Sequence, residues 1–74
     1  MLKNLKKALE SKNITIKAYA SILGISEKSA NNKIAERTAF TYPEARITRI
    51  DVLPEYDMDY LFKSDKDNEE PDRR

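Results

Sequence analysis

The chain has 74 residues, 8.6 kDa, and 14 Lys and Arg against 13 Asp and Glu, a size that supports one small core and no second domain. It has no Cys, no His and a single Gly, which removes thiolate and zinc-thiolate chemistry, the commonest general base and metal ligand, and any glycine-rich phosphate loop. An enzyme, a nucleotide-binding fold, a cofactor and a small-molecule substrate are therefore not expected.

Apolar periodicity predicts an all-α chain of five short helices. Leu2, Leu5, Ala8 and Leu9 recur at helical spacing with Lys3, Lys6, Lys7 and Glu10 opposite them, which marks a first helix at about 2–12. Thr15 suits an N-cap, with Ile14 and Tyr19 placed as a hydrophobic staple. The second helix then runs over 16–23, burying Ile16, Tyr19, Ala20 and Leu23. Gly24 is an expected αL stop, and Ser26 with Glu27 opens a third helix at 27–35 whose inward residues are Ala30 and Ile34. Thr41-Tyr42-Pro43-Glu44 reads as a capping box starting a fourth helix at 42–53, closed by Pro54. Asp57 is placed to cap a fifth at 58–62. From Lys63 onward no apolar residue occurs, so an acidic, disordered tail is expected beyond a domain at 1–62. No apolar run reaches the roughly 18 residues that span a membrane, and the first residues lack the apolar core of a signal peptide, so a cytoplasmic protein with no membrane partner is expected.

The near-neutral total conceals an asymmetry. Residues 1–50 hold ten basic and four acidic side chains, net +6, whereas residues 51–74 hold four basic and nine acidic, net −5. Such a division points to a nucleic-acid-facing region followed by an acidic segment. The basic part contains the most specific pattern in the chain, Thr15 through Ile34. A small residue stands at the expected helix crossing, Ala20, a turn residue follows four places later, Gly24, and apolar contacts lie on the next helix, Ala30 and Ile34. This spacing reads as a helix–turn–helix.

On that block, and on Gly24-Ile25-Ser26-Glu27-Lys28 and the stretch from Pro54 to Phe62, the chain resembles the phage-repressor and Cro-like, xenobiotic-response-element type helix–turn–helix regulators over about residues 1–62. The resemblance implies a compact five-helix, lambda-repressor-like DNA-binding domain that acts as a homodimeric repressor on a palindromic double-stranded operator. A Cro-like phage or prophage role fits best, since a second, sensing domain is not expected. Three residues depart from the family pattern. Ile16 replaces the common phosphate-binding Gln, Ala30 a larger aliphatic, and Glu36 the Gly that follows the recognition helix.

In that docking mode the second motif helix enters the major groove by its N-terminal half. Base readout then falls to Ser26, Glu27, Lys28, Asn31 and Asn32, with Lys suited to guanine and Asn to adenine. Phosphate contacts fall to Thr15, Lys17, Ser29, Lys33, Arg37 and Thr38. Lys3, Lys6, Lys7 and Lys12 read as solvated surface, and Arg46 and Arg49 can face either phosphates or Asp51 and Glu55. The apolar end, Tyr56, Met58, Tyr60, Leu61 and Phe62, is the expected dimer interface. A rival reading keeps the fold as a protein-binding module, an antirepressor or antitoxin-like partner.

Overall fold

A computed structural model describes residues 1–64. Within them the protein is all helical, with α1 (Lys3–Ser11), α2 (Ile16–Leu23), α3 (Glu27–Ile34), α4 (Tyr42–Ile47) and α5 (Met58–Leu61). Continuous with α4 is a π-helical turn, Thr48–Val52, where an uninterrupted α-helix is expected from sequence.

The core forms where the apolar stripes of these elements meet. Leu5 and Leu9 of α1, Tyr19 of α2, Leu53 and Leu61 are fully buried, and α1 packs against both α3 and α5 while α2 packs against α3. Ala30 is fully buried, so its small side chain stands at a close approach of elements and leaves no exposed gap.

Three helices end by one device. Asn13 (φ 59°), Gly24 (φ 76°) and Glu36 (φ 68°) all take the left-handed conformation, and in each case the following backbone N–H reaches back to the carbonyl five residues earlier. These bonds run from Ile14 to Leu9 at 2.9 Å, from Ile25 to Ala20 at 3.0 Å and from Arg37 to Asn32 at 2.8 Å. Each is a Schellman closure, which satisfies carbonyls that the helix leaves without partners. Helix starts use side chains instead. The hydroxyls of Thr15, Ser26 and Thr41 accept the N–H groups of Ala18, Ser29 and Glu44, and Glu44 completes the capping box by accepting the Thr41 N–H at 2.9 Å. Asp57, expected to cap α5, stands at the N-cap position but its carboxylate makes no capping bond.

The π turn is built around Thr48. Leu53 N–H donates to the Thr48 carbonyl, five residues back, at 2.8 Å. Thr48 is fully buried, and its hydroxyl donates to the Glu44 carbonyl at 2.9 Å. The single Thr48 proton is thereby used, so the Tyr19 phenol must be the donor in its hydrogen bond to the same hydroxyl. Burial pushes the Tyr19 phenol up to about 12. Lys12 closes the far end, donating to the Val52 carbonyl at 2.9 Å and pairing with Glu55 at 3.2 Å. It is therefore a cation at a helix C-terminus and not free surface.

Lys63 and Ser64, expected to belong to a disordered tail, are part of the described fold: the Ser64 hydroxyl donates to Glu36 at 2.7 Å. The rest of that expected tail, 65–74, lies outside the described residues.

Candidate nucleic-acid interface

The turn Gly24-Ile25-Ser26 joins α2 to α3 and sets the orientation of the polar helix. Gly24 supplies the left-handed residue, half-buried Ile25 packs toward the core, and Ser26 begins α3. With Ala30 and Ile34 buried, Glu27, Lys28 and Asn31 are exposed. Asn32 and Ser29 are half-buried on the flanks. Lys17, the second residue of α2, is exposed, as are Arg37 and Thr38 after α3.

Several expected contacts are already engaged inside the protein. The Ser26 hydroxyl accepts the Ser29 N–H at 3.0 Å and donates to the Ser29 hydroxyl at 3.1 Å, so both residues spend bonding capacity on the cap. Thr15 does the same at the start of α2. Lys33, assigned from sequence to a phosphate, is turned inward. Its ammonium donates to the Ala39 carbonyl at 2.9 Å, pairs with Glu44 at 3.0 Å and lies 5.9 Å from the Phe40 ring centroid, with its side chain 13% exposed. A cation held by three partners is a clamp between α3 and the start of α4. On the Glu44 side, burial works to raise the carboxyl. The Thr41 backbone N–H and the Lys33 ammonium together outweigh it and hold Glu44 below its usual value.

Arg37 does more than lie near the helix end. The Schellman closure at Glu36 brings it back over α3, and its guanidinium donates to Asn32 Oδ1 at 3.0 Å. That bond fixes which end of the Asn32 amide is its oxygen and aims its amino group elsewhere.

Ile16 is half-buried against the core and lines a concavity of about 310 Å³ with Lys6, Asn31 and Arg37. Lys6, which reads from sequence as solvated surface, borders two of the proposed contact residues. Only proximity in the fold separates it from the other lysines of α1, all of which share one amphipathic pattern.

The expected dimer residues divide. Leu61 is fully buried within the chain, where α5 packs against α1, and so offers no surface to a partner. Phe62 packs edge-on against Phe40, centroids 5.1 Å apart, and Tyr56 stacks on Tyr60 at 5.7 Å. Met58 is half-buried, and the α5 backbone is tied to α1 by Asn4, whose amide donates to the Tyr60 carbonyl at 3.0 Å. Tyr60, 43% exposed, is the member of this group with an open apolar surface.

Among the described residues no group of three or more His, Cys, Asp or Glu side chains is placed to hold a metal, and no helix is long and apolar enough to cross a membrane. Compared with protein-family models, curated proteins and solved structures, the chain has no match.

Proposed function

We propose that the protein is a sequence-specific double-stranded DNA-binding regulator of the Cro-like, phage-repressor type, acting at an operator as a repressor in the bacterial cytoplasm. The observation that carries this reading is the α2–turn–α3 pair. A polar helix is held by its buried Ala30 and Ile34 so that Glu27, Lys28 and Asn31 are exposed, with Arg37 bonded to its Asn32 and Lys17 exposed in α2. α3 then lies in the major groove, Lys28 and the Asn31-Asn32 pair contact base edges, and Lys17 with the N-terminal N–H groups of α2 contacts phosphate. The net +6 of residues 1–50 supplies the sequence-independent attraction.

The test is selection of bound sites from a random duplex pool, followed by affinity across a salt series. A palindromic consensus is expected, with affinity falling at a log–log slope of about −0.9 for each phosphate neutralised. Asn32→Ala should relax base preference at one position by about 1–3 kcal/mol, while Lys17→Ala should weaken all sequences alike. Weak binding that is flat in salt, with no enriched sequence, would transfer the fold to the rival role of a protein-binding module.

A further inference from the structure

Asn32 is held twice by one residue. Where α3 ends, Glu36 takes φ 68° and turns the chain back. The Arg37 N–H then donates to the Asn32 carbonyl at 2.8 Å, and the Arg37 guanidinium donates to Asn32 Oδ1 at 3.0 Å. A guanidinium has donors only, so the amide atom facing it must be the oxygen, and both N–H bonds of Asn32 Nδ2 remain for another acceptor. Asn32 is half-buried and Arg37 exposed, so the arginine stands on the solvent side of the amide it orients.

That bond changes what the asparagine can read. An asparagine with both ends open grips adenine, donating from Nδ2 to N7 and accepting at Oδ1 from the N6 amino group; guanine instead presents two acceptors, O6 and N7. Here Oδ1 already carries a cation. Its second lone pair lies on the same oxygen, so an adenine amino group bonded there would bring a donor up against the guanidinium. The Nδ2 N–H groups and the guanidinium N–H groups not spent on Oδ1 offer donors alone, with a positive charge behind them. The acceptor pair of guanine matches that surface, and the mixed pair of adenine does not.

We propose that Arg37 is a positioning residue that turns Asn32 from a reader of adenine into a reader of guanine, so that Asn32 selects a G·C pair in the operator. The inference rests on the DNA reading of α3 and goes beyond it by fixing which purine this side chain selects. It also reverses the pairing expected for Asn32 from its residue type alone.

The test uses duplexes selected from a random pool by the full chain. Asn32→Ala locates the position, since base preference should be lost there and kept elsewhere. At that position the wild type should bind G·C over A·T by about fivefold or more. Arg37→Ala frees Oδ1 and should bring this ratio to unity or reverse it, leaving the preferred bases at other positions as they are. An arginine that only contacts phosphate or supports the fold would lower affinity for every sequence and leave the ratio unchanged. The Arg37 backbone bond that closes α3 needs no side chain, and circular dichroism checks that both variants remain helical. An A·T pair at the Asn32 position, a G·C preference that persists in Arg37→Ala, or an Asn32→Ala variant with wild-type preferences throughout would each overturn this inference while leaving the DNA reading intact. A pool with no enriched sequence overturns both.

Discussion

The Tyr19 phenol, Thr48 hydroxyl and Glu44 carbonyl form a relay in which every proton has one assigned acceptor, buried where water cannot substitute. Tyr19→Phe keeps the ring and leaves the bond from Thr48 to Glu44, so urea unfolding should show a loss of about 1 kcal/mol. Thr48→Val strands both the phenol and the carbonyl and should cost more, about 2–3 kcal/mol, whereas the double variant should cost less than the two singles combined because no orphaned phenol remains. The same phenol gives the fold an alkaline limit. Its value is about 12 in the folded chain against an ordinary 10.0, so folded and unfolded states are both protonated below pH 10. Above that the unfolded chain loses the proton first, and stability drains away by about 1.4 kcal/mol for each pH unit until the folded phenol also ionises. The advantage of wild type over Tyr19→Phe should therefore vanish near pH 11 and reverse as pH rises toward 12; a constant offset would contradict the relay. Glu44 acts with the opposite sign. Its folded value lies below 4.5, so its contribution is complete above that pH and is lost on acidification through the folded value.

At the scale of elements, α1, α2 and α3 close identically but place three different residues in the left-handed position, Asn13, Gly24 and Glu36. Asn and Gly adopt it readily; Glu does not. Glu36→Gly and Glu36→Ala both remove the carboxylate that pairs with the Met1 amine at 3.2 Å, so their difference isolates the backbone. The Gly variant should be more stable by about 1 kcal/mol in thermal or urea unfolding, and equal stabilities would contradict a left-handed requirement there. At Gly24 an added Cβ meets nothing within 4 Å, so Gly24→Ala should cost only the conformational term of about 1–2 kcal/mol. These ends were legible in the sequence because Thr15, Gly24, Ser26 and the Thr41–Glu44 box act within a few residues of themselves. The π turn was not, because Thr48 looks like any helical threonine until Tyr19 arrives from 29 positions away. The inward turn of Lys33 is hidden in the sequence for the same reason. Its partners Ala39, Phe40 and Glu44 lie beyond the helix, and a lysine on a polar helix reads as a phosphate contact until the chain is folded around it. Arg37 was placed near the DNA face from sequence, but its bond to Asn32 depends on the reversal at Glu36.

For the whole molecule, a net charge of +1 is the resultant of two opposed fields. The exposed cations around α3 sit in the net +6 part of the chain, and residues 65–74 contribute five acidic and three basic side chains to the other part. If the basic surface binds duplex DNA, that covalently attached negative charge competes with phosphate for it. The competition is electrostatic, so it is strongest where screening is least. A chain ending at Ser64, which retains the Ser64–Glu36 bond, should bind random duplex a few-fold more tightly than the full chain at about 10 mM salt, where the Debye length is about 30 Å. The advantage should shrink at about 150 mM, where that length is about 8 Å. Selected sites should gain no more than random ones, because the removed charge carries no base information. Equal low-salt affinity for the two chains would dismiss the competition. A gain confined to the selected sequence would mean instead that the segment touches Lys28, Asn31 and Asn32, the residues proposed to read bases, directly.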